Sequence, residues 1–142
     1  MAERVPHDHP SVSTFRCQLA RSGGTRRPCL ELPSELDVDP GTFVRIALDG
    51  RQYHARVESH STGTLIRGAY DNRRLAREPG EGKNRLLAWA GDHGLTAGDA
   101  VELDEIETGY LYGVRKPGRE AVYEATEQPS QSLADIARDL DG

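Results

Sequence analysis

The chain has two cysteines, one methionine, one tryptophan, two phenylalanines and only two lysines, Lys83 and Lys116, in 142 residues. Two cysteines allow at most one disulfide, which excludes a scaffold framed by disulfides and fits a reducing, cytoplasmic setting. Stability must then come from an apolar core, and a chain of this length can bury roughly two thirds of its unfolded surface. No window approaches the ~18 apolar residues of a membrane-crossing helix, so no membrane partner is expected. The opening stretch, MAERVPHDHPSVS, has no apolar run of the signal-peptide kind. The sequence contains no P-loop, Rossmann fingerprint, Gly-x-Ser-x-Gly elbow or His-Glu-x-x-His pair. The well-marked enzyme classes are therefore set aside, and no catalytic residue, metal or cofactor is assigned.

Net charge is -5, from 23 acids and 18 bases. Taken whole, that balance argues against a strongly basic nucleic-acid binder. Its distribution argues otherwise. Residues 119–142 hold Arg119 and Arg138 against six acids, which leaves residues 1–118 almost neutral at -1. Within that body, residues 67–85 carry Arg67, Arg73, Arg74, Arg77, Lys83 and Arg85 against Asp71, Glu78 and Glu81, a local +3. A second basic run, Arg16, Arg21, Arg26 and Arg27, has no acid between residues 9 and 30. Such segregation is expected where one face meets an anionic partner. The plainer readings are solvated surface arginines and, for Arg74 or Arg77, ion pairs with Glu78 or Glu81.

Local patterns predict a mainly β (α+β) domain over 14–118, between a flexible arm at 1–13 and an acidic tail at 119–142. Strands are expected at 14–19, 42–47, 52–57, 64–70, 99–106 and 110–115. Asp49-Gly50 between two alternating runs marks a hairpin. Ser34 is placed as the cap of a short helix over 35–38, and a second helix is expected from Asn84, with Leu86, Leu87, Trp89 and Ala90 on its apolar stripe. In the tail, Leu133, Ile136, Ala137 and Leu140 share one face of a small amphipathic helix capped by Ser132. That helix could dock on the domain itself, the first expectation, or on a protein partner through Leu133, Ile136 and Leu140, or on the basic segments as an inhibitor. An internal echo joins the run 36–46 to the run 94–103: each passes through a glycine, Gly41 or Gly98, into a strand with alternate apolar residues.

Phe15-x-x-x-Leu19, the basic loop, Arg27-x-x-Leu30-x-Leu32-Pro33, the 42–57 hairpin, and a Trp89 helix followed by Leu95-x-x-Gly98-Asp99-x-Val101-x-Leu103 come in a suggestive order. That order resembles the DNA-binding pseudobarrel, the family of the plant B-three domain and of the effector domain of EcoRII-type restriction enzymes. The resemblance, in a member from a haloarchaeal or other GC-rich prokaryotic source, implies a seven-stranded open pseudobarrel with two short helices, to which the C-terminal amphipathic helix is added. It implies that duplex DNA is gripped by two arms, in a regulator or chromosome-associated factor. The first arm maps to Arg16, Gln18, Arg21, Ser22, Thr25, Arg26 and Arg27; the second maps to His60, Ser61 and Thr62, assisted by Arg67. The Gly-Trp of the plant motif is missing, and the insert 71–83, with Arg73, Arg74, Arg77 and Lys83 and then Arg85, stands in that region. Arginine suits the task, since its planar fork binds phosphate or a guanine edge through two hydrogen bonds. Alternatives are a small barrel that binds RNA, ribosome or polymerase, and a small-molecule enzyme using Cys29 and His54. Cys17, Cys29 and His54 could together hold a metal, but small buried thiols are the simpler reading.

Overall fold

The computed structural model describes residues 3–21, 28–36, 38–60, 63–78 and 81–125. Among these residues nine strands and two helices follow in the order β1 (Glu3–Pro6), β2 (Ser13–Arg21), β3 (Pro28–Glu31), β4 (Phe43–Leu48), β5 (Arg51–His60), β6 (Gly63–Ile66), α1 (Arg73–Arg77), α2 (Arg85–Asp92), β7 (Ala100–Glu107), β8 (Leu111–Arg115) and β9 (Val122–Ala125). Seven strands make a barrel in the order β2-β3-β6-β5-β4-β8-β7. The ring closes fully through β7 and β2, where the sequence suggested a partly open one. Every pairing in it is antiparallel except β4 with β8, which the long stretch between those strands makes possible.

Alternation along the strands fills the interior. On β4, Val44, Ile46 and Leu48 point inward, and on β2 Cys17 and Leu19 do so, joined by Leu30, Val57, Ile66, Val101, Leu103 and Val114. Helix α2 adds Leu86, Trp89 and Ala90 to this core. It starts at Asn84, whose side chain accepts from the N–H groups of Leu86 and Leu87, satisfying donors that a first helical turn leaves open. The same Asn84 accepts from Ala69 N–H and donates to the Arg67 carbonyl, and a Cβ on Gly68 would overlap it. One side chain therefore caps the helix and ties it to the chain leaving β6.

The internal echo is a repeated piece of architecture. The Gly41 N–H donates to the Val57 carbonyl at 2.6 Å, and the Val57 N–H donates to the Thr42 carbonyl at 2.9 Å. The Gly98 N–H donates to the Leu19 carbonyl at 2.6 Å, and the Leu19 N–H to the Asp99 carbonyl at 2.9 Å. Both glycines sit at positive φ, +91° and +100°, which is why the echo keeps glycine there. The Asp49-Gly50 turn, with φ of 50° and 84°, closes the β4–β5 hairpin in the expected register.

Two expectations are corrected, and one short helix is added. Residues 33–36 form a turn closed by Leu36 N–H on the Pro33 carbonyl, not the start of a helix over 35–38; Pro28–Glu31 is a strand instead. The insert after Asp71 contains a one-and-a-half-turn helix, α1, capped by the Asn72 side chain. The expected arm and the start of the expected tail pair with each other, as β1 and β9 form an antiparallel ribbon from Glu3↔Ala125 to Pro6↔Val122. That ribbon is pinned by Tyr123, whose hydroxyl donates to Asp104 and whose ring fills the space a side chain on Gly113 would need. The tail helix assigned to 132–140 lies outside the described residues.

Asp104 is a fully buried carboxylate. It accepts from Thr14 Oγ1 at 2.6 Å, Arg115 Nε at 2.8 Å and Arg115 Nη2 at 3.3 Å as well as from Tyr123. Burial works against the Arg115 charge, and the hydrogen bonds and charge of Asp104 more than offset it, so the guanidinium is held above its ordinary pKa. Burial, then the Asp104 bond and charge, push the Tyr123 phenol up as well.

Candidate nucleic-acid interface

The hairpin register decides which polar side chains meet on the outside of the barrel. With Val44, Ile46 and Ala55 inward, the outward residues of β4 and β5 pair as Phe43↔Arg56, Arg45↔His54 and Ala47↔Gln52. Arg67 follows directly on β6, whose Ile66 pairs with Val57, and its guanidinium reaches Glu58 on β5. Arg73 of α1 lies over the Phe43 ring at 4.5 Å, and Arg45 lies over the Tyr110 ring at 5.6 Å. Arg45, Arg56 and Arg73 thus lie with His54 on the outer side of the hairpin, Arg73 over the Phe43 ring and Arg56 across from it. Burial of His54, then the Arg45 and Arg73 charges, hold its pKa below the usual imidazole value. Glu58 on β5 accepts from Arg67 Nε at 3.3 Å, and Glu124 shares a cleft with Arg45. Arg45 is braced from below: its Nη1 donates to Gln52 Oε1 at 3.3 Å, and Gln52 Nε2 donates to the Glu124 carbonyl at 2.8 Å. Tyr110 beside it is buried, and its hydroxyl has no hydrogen-bond partner among the described residues.

The residues singled out from the sequence divide into groups. Arg73 joins the face just described, and Arg67 stands at its edge with Glu58. Arg74 is engaged by Glu81 and Glu78, and Arg85 makes a two-bond pair with Asp71 at 2.8 Å. Hydrogen bonds from Arg85 hold the Asp71 carboxyl below the usual carboxylate range. These two arginines carry the ion-pair reading. Arg77 and Lys83 are exposed. Arg16 and Gln18 project from β2 beside a shallow cleft of about 340 Å³ shared with Glu31 and Pro33, and Arg16 stands across from Glu102 on β7. Arg21 is exposed at the end of β2. Ser22, Thr25, Arg26 and Arg27 lie outside the described residues, as do Ser61, Thr62 and the side chain of His60.

The sequence reading missed Arg45, Arg56, His54 as part of a basic set, and Phe43. Their signal was present: a two-residue Asp-Gly turn fixes Arg45 opposite His54 and Phe43 opposite Arg56, and contiguous charge counts cannot register residues that alternate across a hairpin. The tyrosines considered for base stacking, Tyr70, Tyr110 and Tyr112, are all buried. Cys17 is buried, and burial followed by the charges of Glu102, Glu35 and Glu31 pushes its thiol up to about 12. Burial also raises the Cys29 thiol. Neither cysteine is disulfide-bonded, and among the described residues no three His, Cys, Asp or Glu side chains are grouped to hold a metal ion. No helix among the described residues is long and apolar enough to cross a membrane.

A second cleft of about 270 Å³ lies between the Asp49 turn, α2 and residues 114–123. There His93 Nε2 meets Asp49 Oδ2 at 2.9 Å, and Trp89 Nε1 donates to Asp49 Oδ1 at 3.3 Å. These contacts fasten α2 to the hairpin turn. No curated protein and no solved structure matches the chain. The family model that does match covers residues 1–140, so this barrel with its basic outer face belongs to the family of unknown function DUF7112.

Proposed function

We propose that the domain is a double-stranded DNA-binding module, a regulator or chromosome-associated factor, that receives the duplex on the outer face of β4, β5 and β6. The observation that carries this reading is the grouping of Arg45, Arg56 and Arg73 with His54 and Phe43 on the outer side of one hairpin, with Arg67 at its edge. Guanidinium groups at the rim of a sheet serve phosphates or guanine edges equally. The barrel topology supports duplex rather than single strands. The strand ends leading into the two arms, Arg21/Pro28 and His60/Gly63, lie at opposite ends of β2-β3-β6-β5. From Pro28 to Pro33 the sheet advances five residues, about 17 Å at roughly 3.3 Å each, enough to flank a major groove about 12 Å wide. The pseudobarrel resemblance uses its two arms in the same manner.

The test is fluorescence anisotropy with a labelled duplex, competed by single-stranded DNA and structured RNA. The duplex is expected to compete best, and affinity to fall with a log–log salt slope of about -3 to -4, as four phosphate contacts require. Preference for RNA moves the assignment to an RNA-binding barrel, and salt-independent or absent binding overturns it.

A further inference from the structure

We infer that the acidic C-terminal segment, residues 126–142, is an intramolecular ligand of this same basic face and competes with nucleic acid for it. The inference rests on the DNA-binding reading for its consequence, but not for the contact itself. Its first ground is placement. Val122 borders the cleft at Asp49 and Gly50, whereas the carbonyl of Glu124 is held by Gln52, which also accepts from Arg45. β9 therefore advances from the hairpin turn toward Arg45 and His54, and the described chain ends at Ala125, one residue beyond the carbonyl that Gln52 holds. A cleft of about 260 Å³ runs between β9 and the hairpin, from Gly50 and Val122 to Arg45 and Glu124.

The second ground is charge. Residues 126–142 contain Glu127, Asp135, Asp139 and Asp141 against Arg138, and they follow directly on β9, whose Glu124 borders the face that carries Arg45, Arg56 and Arg73. Among the described residues Arg56 and Arg73 form no ion pair, so the face has cationic capacity that its own side chains leave unused. Tethering raises the local concentration of such a segment to about the millimolar range, so individually weak exposed pairs suffice. The ribbon itself is anchored by Tyr123 in its slot over Gly113, which fixes the origin of the segment.

The experiment uses the full chain with a nitroxide attached at S130C; Cys17 and Cys29 are buried and stay unlabelled. Paramagnetic broadening is read at the amides of Phe43, Arg45, His54 and Arg56. Broadening is expected at roughly 50 mM salt and is expected to disappear near 0.5 M, where the screening length drops to a few ångströms. It is also expected to disappear in the E127Q/D135N/D139N/D141N chain. That variant is expected to bind duplex about three- to tenfold more tightly at low salt, a gain lost at high salt. No broadening at the face, or broadening confined to the Asp49–His93 cleft, overturns the inference while leaving the DNA reading intact. Broadening in a chain that binds no duplex upholds the contact and overturns the DNA reading instead.

Discussion

Replacing Asp104 by asparagine isolates the interaction that fastens the β1–β9 ribbon to the barrel. The carboxylate is fully buried and receives four hydrogen bonds, from Thr14, Tyr123 and two nitrogens of Arg115. Asparagine keeps the shape but offers one acceptor oxygen, and its amide N–H groups face donors. The Arg115 side chain, 11% exposed, then loses its counter-charge. Removing one partner of a buried pair costs about 3–5 kcal/mol, a large share of the roughly 5–15 kcal/mol that holds a domain together. For a chain of this length that amounts to a fall in Tm on the order of 10–20 °C. Tyr123→Phe removes one neutral donor, leaves the ion pair in place, and is expected to cost only about 1–2 kcal/mol. Urea unfolding followed by Trp89 fluorescence measures both. The reasoning is refuted if Asp104→Asn costs under about 1 kcal/mol, or if Tyr123→Phe costs as much as it does.

Three further outcomes follow from other contacts. Native protein is expected to resist thiol reagents at pH 8, because burial holds both cysteine thiols above their ordinary pKa, and to expose two reactive thiols once unfolded; fast labelling of the native chain contradicts the packing. His54 is held neutral by burial and by Arg45 and Arg73, so its contribution to folding stability is present above the unfolded-state pKa of about 6.5 and is lost as pH falls below it. Phosphates on the face reverse that pressure, so duplex affinity should rise from pH 7.5 to 6 by up to about tenfold per unit, a dependence that His54→Gln should flatten and an NMR titration of the ring can check. Asn84→Ala removes the α2 cap and two further backbone contacts, and differential scanning calorimetry should show a loss of about 1–2 kcal/mol.

Much of the barrel was legible because local rules fix it. The Asp49-Gly50 turn sets the β4–β5 register, alternation marks the inner faces of β4, β5 and β7, and the Asn84 cap with Leu86, Trp89 and Ala90 marks α2. The echo at Gly41 and Gly98 corresponds to one hydrogen-bonding arrangement used twice. What escaped local reading depends on distant partners. The β1–β9 ribbon joins Pro6 to Val122, and neither strand has a pattern of its own in four residues. β3 reads poorly because Cys29 is buried although it lies on the face opposite Leu30. α1, at five residues, is too short to show a period. The basic face combines alternate residues of two strands with Arg67 and one helix residue, so segment charges could suggest an anionic partner without locating where it would bind.

The assignment of the face is tested most directly by titrating ¹⁵N-labelled full-length protein with a short duplex and mapping shift changes by residue. The largest changes are expected at Phe43, Arg45, His54, Arg56, Arg67 and Arg73, with their loss in the R45Q/R56Q/R73Q chain while the fold is preserved. Changes centred on Asp49, Trp89 and His93, or no changes at any duplex concentration, would contradict it.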